Sequence, residues 1–156
     1  MKTTAFVPVL ILAGILLGSA ASQPSRFGSR NPVISLDRSG CFGKCPTYTI
    51  TFTGDGKAVY KGVENVERIG YYTATISREQ LRFLCNEFAK ARFFSMKNIY
   101  DDKVTDIPTY TVKYRLNGRT KTVIDRYDPP KQLRALEATI DSLGNTLAWK
   151  KTSDLK

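Results

Sequence analysis

The sequence predicts an α+β domain: a single antiparallel sheet of about five to six strands, with two helices packed on one face. Several segments alternate apolar or aromatic residues with polar ones, and this period of two is typical of strands. Short glycine-containing turns join these segments, which favours antiparallel pairing. Two further segments carry apolar residues at helical spacing, each preceded by a helix-start pattern.

The first half of the domain contains four predicted strands. Val33–Leu36 is the first, and Tyr48–Thr53, in which aromatic or aliphatic residues alternate with threonine, is the clearest. Residues 54–57 (Gly-Asp-Gly-Lys) predict a turn into a partner strand at 58–61, and a fourth strand is expected at 71–76.

A helix is predicted after Ser77, because Ser77 and Gln80 form a capping-box pattern. Its apolar face is built from Leu81, Leu84, Cys85 and Phe88. The Phe93-Phe94 pair closes it, and residues 95–108 are expected to form an irregular loop.

The second half contains a hairpin and a helix. Residues 110–116 and 120–127 are predicted strands around an Asn117-Gly118 turn. Asp128, followed by two prolines, predicts the N-cap of the second helix, and Gly144 is a candidate early end. Its apolar face comprises Leu133, Leu136, Ile140, Leu143 and Leu147.

Residues 1–22 have the composition of a secretory signal peptide: Lys2, an apolar run over 5–17 and small residues at 18–22. The apolar run is shorter than the roughly 20 residues of a membrane span, although an uncleaved anchor is the alternative. We therefore expect an exported protein, periplasmic or secreted, with no membrane span after cleavage. The remaining chain is predicted as a flexible tether (23–31), a single α+β domain (32–149) and a frayed basic tail (150–156).

The chain is basic, with 24 lysines and arginines against 14 acidic residues. Lys2 is the only charged residue of the predicted signal, so the mature chain would carry 23 positive and 14 negative charges, or +9. This charge favours an anionic or protein partner in the cell envelope, although many secreted proteins are simply basic. Nucleic acid is not expected, because no recognition motif occurs in a chain predicted to be exported.

An exported chain meets an oxidising compartment, so a disulfide is expected. Cys85 lies on the apolar face of the first predicted helix and is interpreted as a buried thiol, which leaves Cys41 and Cys45 as the pair. The alternative is a redox-active dithiol. Three residues separate these cysteines and a strand follows them, whereas dithiol oxidoreductases use two residues and a helix N-terminus.

The run Cys-Phe-Gly-Lys-Cys-Pro-Thr-Tyr at 41–48 resembles the signature of a bacterial, mostly exported family of domains of unknown function. That pattern is C-F-G-x-C-P-x-Y, then G-D-G and V-x-Y-x-G, matched here at 54–56 and 59–62. The Phe93-Phe94 pair and a T-D-x-P element at 105–108 continue the resemblance. The resemblance extends from Val33 to the second helix, and it implies a fold and an exported location but no established activity.

Two clusters are candidate contact sites. The acidic loop contains Tyr100, Asp101, Asp102, Thr105 and Asp106. These residues could form turns, contact a partner or ligand, or supply oxygen ligands to a hard cation, although their spacing fits no defined calcium loop. The hairpin carries a basic patch, Lys113, Arg115, Arg119 and Lys121. A three-residue turn would place all four charges on one face, and a two-residue turn would divide them between faces.

Catalysis finds little support. Histidine is absent, which excludes Ser-His-Asp and Cys-His sites, and no zinc set or phosphate-binding glycine loop occurs. No cofactor, metal site or catalytic residue is predicted. The leading interpretation is an exported, non-enzymatic binding or interaction module of the cell envelope or periplasm. The alternatives are a thiol–disulfide redox protein using Cys41 and Cys45, and a carboxylate hydrolase using Asp101, Asp102, Asp106 or Glu79.

Overall fold

The computed structural model describes residues 31–102 and 104–155. The predicted signal peptide and the tether up to residue 30 lie outside them. The described residues form eight strands, two α-helices and one 3₁₀ turn. In chain order these are β1 Val33–Arg38, β2 Thr47–Thr53, β3 Lys57–Glu64, β4 Gly70–Thr75, α1 Arg78–Lys90, a 3₁₀ turn at Phe93–Ser95, β5 Ile99–Tyr100, β6 Tyr110–Leu116, β7 Arg119–Asp125, α2 Lys131–Thr146 and β8 Lys150–Ser153.

All eight strands belong to one sheet, in the order β5-β7-β6-β1-β2-β3-β4-β8. Every neighbouring pair is antiparallel except β5 and β7, which are parallel. The domain is α+β, but the prediction of five to six strands in an antiparallel sheet was wrong: the sheet has eight strands and is mixed. The additional strands, β5 and β8, form its two edges.

Both additional strands lack the pattern that identifies a strand in a sequence. β5 has only two residues, inside the segment predicted as an irregular loop, and β8 reads Lys-Lys-Thr-Ser with every side chain exposed. Residues 150–153 are therefore an edge strand on β4 and not part of a frayed tail. Trp149 fixes the start of β8, because its ring lies 5.6 Å from that of Tyr60 and its Nε1 donates to the Gly144 carbonyl at 2.8 Å.

The core lies between one face of the sheet and the two helices. Tyr114 of β6 pairs with Ile34, and Ile50 of β2 pairs with Leu36, so these four side chains share one face. The Phe88 ring of α1 lies 4.3 Å from that of Tyr114. A Cβ on Gly144 of α2 would lie 2.8 Å from Ile50 Cδ1. Both helices thus pack on the same face, and Gly144 lets α2 approach the sheet closely.

The predicted start of α1 is confirmed and that of α2 is not. Ser77 caps α1 with the complete capping box to Gln80. In α2 the N-cap is Pro130, and Asp128 takes a left-handed backbone conformation, with φ 45°. A residue preceding proline is disfavoured in the helical region, so the Pro129-Pro130 pair delays the helix to Lys131. Among the described residues, no helix has the length and apolar character needed to cross a membrane.

Candidate functional site

A row of polar side chains crosses the helix-bearing face at one end of the sheet. Strand register pairs Asp125 of β7 with Tyr110 of β6, Tyr110 with Arg38 of β1, and Arg38 with Tyr48 of β2. Paired residues point to the same side of a sheet. The Arg38 guanidinium lies 4.9 Å from the centre of the Tyr110 ring. The apolar core therefore gives way to polar groups at this end of the same face.

Helix α2 adds Glu137 and Asp141 above this row. They are four residues apart and so lie on one side of the helix. The Tyr48 hydroxyl donates to Asp141 Oδ1 at 2.6 Å, and stacking on Tyr60, with ring centres 5.7 Å apart, fixes the Tyr48 ring. Burial raises the pKa of Asp141, although the bond from Tyr48 and the charge of Arg38 act in the opposite direction.

Asp125 and Glu137 are the two buried charged residues of the described chain, each with 6 % of its surface exposed. Burial, followed by the negative charge of Asp125, raises the pKa of Glu137 to about 8. Burial also raises the pKa of Asp125, while Arg134 and Glu137 act to lower it. At neutral pH Glu137 is therefore mostly protonated. Glu137 Oε1 is buried and has no hydrogen-bond partner among the described residues.

These carboxyl groups line an open groove of about 510 Å³, which we call the carboxylate groove. It runs between α2 and the ends of β6 and β7. Its lining residues are Ile107, Pro108, Tyr110, Asp125, Arg126, Tyr127, Arg134, Glu137, Ala138 and Asp141. A polar pair at the wall of an accessible groove, next to two tyrosine rings, is the composition expected of a ligand site.

The two loops highlighted by the sequence meet beside the groove. One follows Arg38 and contains the disulfide, and the other precedes Tyr110 and contains Pro108. The Ser39 amide donates to the Thr109 carbonyl at 2.9 Å, and the Thr109 amide donates to Ser39 Oγ at 3.2 Å. This reciprocal pair of bonds holds the two loops together at the end of the sheet where the polar row lies.

The predicted disulfide between Cys41 and Cys45 is present, with the two Cα atoms 5.5 Å apart. Pro46 and then β2 follow it, whereas in dithiol oxidoreductases a helix begins at the cysteine pair. Phe42, at the tip of this loop, is 92 % exposed. Cys85 is a free thiol, partly buried against the core, and burial raises its pKa.

The acidic loop is divided between several local roles. Tyr100 lies in β5 and its hydroxyl accepts a bond from the Lys97 amide at 3.1 Å. Asp101 pairs with Arg126 at 3.3 Å. Asp101, Asp102, Thr105 and Arg126 line a second, shallower depression of about 500 Å³. Asp106 occupies a left-handed turn position, with φ 66°.

These predicted acidic residues and Glu79 do not converge on one site. Glu79 lies in the first turn of α1. It is not among the residues that line the depression beside the acidic loop, which include Asp101 and Asp102. No cluster of three or more metal-ligating side chains occurs within residues 31–102 and 104–155.

The basic hairpin does not form a single patch. Asn117 and Gly118 make a two-residue turn, both with positive φ, and the register pairs Leu116 with Arg119. Lys113 and Arg115 consequently lie on the open face, and Arg119 and Lys121 on the helix-bearing face. There the Arg119 guanidinium lies 4.6 Å from the Phe94 ring, and Lys121 Nζ donates to the Met96 carbonyl and to Asn98 Oδ1, both at 2.6 Å.

Sequence reasoning missed Asp125, Glu137 and Asp141, although two of them leave a signal. Asp125 is in phase with Val123, which points into the core. Glu137 lies four residues after Leu133 and three before Ile140, within the buried side of α2. A carboxylate in the apolar phase of a strand or helix indicates a buried charge, which is rare without a partner.

Comparison with known proteins places the chain in a family. A search among curated proteins gave no significant match. A family model described as a domain of unknown function (DUF6438) matches residues 32–144, more than half of the chain. The match spans β1 to the last turn of α2 and contains all three carboxylates of the groove. The chain therefore belongs to the DUF6438 family of domains of unknown function.

Proposed function

We propose that this domain is exported and acts as a non-enzymatic binding module, with the carboxylate groove as its ligand site. One observation carries the proposal: Glu137 lines an open groove, and its Oε1 is buried without a hydrogen-bond partner among the described residues. Leaving such an atom unpaired costs about 1–3 kcal/mol or more. A bound ligand that donates a hydrogen bond would remove that cost.

The surrounding loops support the same location. The disulfide loop holds Phe42 in solvent at the groove end of the sheet, and a constrained loop loses little entropy when it binds. The opposite loop contributes Ile107 and Pro108 directly to the groove. Aromatic and apolar side chains around a polar centre are typical of recognition sites.

The surface charge supports an anionic environment such as the cell envelope. Lys113 and Arg115 lie on the open face of the sheet. The positive charges of a basic chain attract an anionic surface over a distance of about one Debye length. This attraction would position the domain near an anionic partner. The groove, which is locally acidic, would then contact a different part of that partner or a separate ligand.

The groove is tested by an NMR screen of small polar fragments against the purified protein. We expect hits to shift the amide signals of Tyr127 and Ala138. Ala138→Phe should abolish them by filling the groove from an exposed helical position. Ala89→Phe, an equally exposed alanine on α1, is the matched control and should leave binding unchanged. Hits scattered over the surface, or undiminished in the Ala138→Phe variant, would contradict the proposal.

Export is tested by the intact mass of the protein recovered from the host. We expect a chain that begins after Ala21 or Ser22, with one cysteine alkylated before reduction and three after it. A full-length cytoplasmic product, or three alkylations before reduction, would overturn this part of the proposal. A readily reduced disulfide would instead favour the redox alternative.

A further inference from the structure

We infer that the carboxylate groove takes the cationic group of its ligand, an ammonium or guanidinium, which is held between Asp125 and Glu137. This inference rests on the proposed function and names its ligand class. It depends on three observations: the two carboxyl groups are buried, Glu137 Oε1 has no hydrogen-bond partner among the described residues, and aromatic rings lie beside them. A lysine or arginine side chain of a peptide, or an amino sugar, carries such a group.

The pair has no counter-ion within the described part of the chain. The ion pairs found there are Lys90–Glu87, Arg126–Asp101 and Lys151–Asp154, none of which includes Asp125 or Glu137. Two adjacent buried carboxyl groups are normally balanced by a cation, a metal or a shared proton. The proton on Glu137 reduces the negative charge of the pair here, and a cation with several N–H donors could replace it.

The neighbouring arginines do not supply that cation. Arg126 bonds to Asp101 and to the Val104 carbonyl, at 3.3 and 3.4 Å. Arg38 lies over the Tyr110 ring. Arg134 is exposed. Its positive charge lowers the pKa of Glu137, but this effect is smaller than the increase caused by burial and smaller than the increase caused by Asp125.

The groove also offers rings suited to a cation. Tyr110 and Tyr127 line it together with the carboxyl pair, and Tyr127 is 46 % exposed. A tyrosine face attracts ammonium and guanidinium groups, because the face of the ring carries partial negative charge. A neutral or anionic ligand group would gain neither this attraction nor the charge of the pair.

Cation binding at this pair is linked to release of its proton. The titratable and charged groups that line the groove with Glu137 are Asp125 from β7, Asp141 and Arg134 from α2, Tyr110 from β6, and Arg126 and Tyr127 from the segment after β7. Tyr48 and Arg38 act on Asp141. With the pKa of Glu137 at about 8, the ionised fraction rises about tenfold between pH 7 and pH 9. The affinity for a permanently charged cation should rise about tenfold over the same range.

Methylguanidinium is the probe, because its charge does not change in this range. N-methylurea is its neutral counterpart, and acetate is the anion. NMR titrations of the purified protein at pH 7 and pH 9 should show methylguanidinium alone shifting the Tyr127 and Ala138 signals, about tenfold more tightly at pH 9. Glu137→Gln should remove this pH dependence. Glu67→Gln, an exposed carboxylate on the β3–β4 turn, should leave it intact.

The outcomes separate the inference from the proposed function. If N-methylurea or acetate binds the groove and methylguanidinium does not, the groove is a ligand site but the cation inference is wrong. If none of the three binds, both fail. Affinity for methylguanidinium that is equal at pH 7 and pH 9, or unchanged in Glu137→Gln, also overturns the inference. If Glu137→Gln does not fold, Asp125→Asn is the second variant: it removes the charge of Asp125, which helps to raise the pKa of Glu137, so the rise in affinity should move to lower pH, and an unchanged pH dependence overturns the inference.

Discussion

Replacing Glu137 by glutamine should make the protein less sensitive to alkaline pH. The substitution keeps the shape of the side chain and removes its ionisation. In the folded protein the pKa of Glu137 is about 8, against an ordinary value of 4.5, so the folded state binds more protons than the unfolded state between these two values. Stability therefore falls as pH rises through this window, and it levels off above about pH 8.

The magnitude follows from the size of the pKa change. One pKa unit corresponds to about 1.4 kcal/mol, so the rise from 4.5 to about 8 amounts to about 5 kcal/mol, of which about 4 falls between pH 5 and pH 9. Burial also raises the pKa values of Asp125 and Asp141, and they act in the same direction. The difference between the wild type and Glu137→Gln isolates the contribution of Glu137.

Urea unfolding at pH 5, 7 and 9 measures this difference. We expect the wild type to lose about 4 kcal/mol more than Glu137→Gln over the range, with similar m-values. Glu67→Gln removes an exposed carboxylate and should follow the wild-type curve. Parallel curves for the wild type and Glu137→Gln would refute the reasoning, because they would show that Glu137 ionises at its ordinary pKa in the folded protein.

Three further substitutions test the packing by urea unfolding at pH 7. Gly144→Ala should destabilise the protein by up to about 2 kcal/mol, because the cost of overpacking exceeds the roughly 1 kcal/mol gained in helix propensity. In an Ile50→Val background, which lacks Cδ1, this loss of stability should disappear. If the loss persists there, the contact with Ile50 Cδ1 is not its cause. Ser77→Ala should cost about 1 kcal/mol through loss of the capping box, and no change would contradict this. Trp149→Ala should cost more than deletion of 150–156, and the reverse order would show that β8 itself is the stabilising element.

The parts of the fold predicted from sequence are those determined by local chemistry. Alternation marks β2 and β6, the Ser77 capping box marks α1, and Asn117-Gly118 marks the hairpin. The edge strands β5 and β8 have no such pattern, because they form where a backbone segment meets an unpaired sheet edge. That encounter depends on where Trp149 and the loop after α1 are placed by tertiary packing.

The candidate site was only partly predictable for the same reason. The disulfide follows from cysteine spacing, and the division of the basic residues follows from the length of the hairpin turn, one of the two geometries considered. The Asp125–Glu137 pair depends on how α2 is docked across β7, which no local pattern specifies. Each residue alone is a carboxylate at a position of its strand or helix where an apolar residue is expected. Only the fold shows that these two carboxylates lie next to each other.

The position of the pair argues for a functional role. Two buried carboxyl groups next to an apolar core stabilise a fold less than hydrophobic residues of similar volume would. The Tyr48 hydroxyl bonds to Asp141 in the neighbouring part of the polar row, which shows that this end of the sheet can satisfy a buried carboxyl group internally. Glu137 lines the groove with Tyr110, Asp125 and Asp141, and its Oε1 has no hydrogen-bond partner among the described residues. An unpaired carboxyl oxygen on a residue that lines the groove is what a ligand site requires, and apolar packing alone gives no reason to place a carboxyl group there.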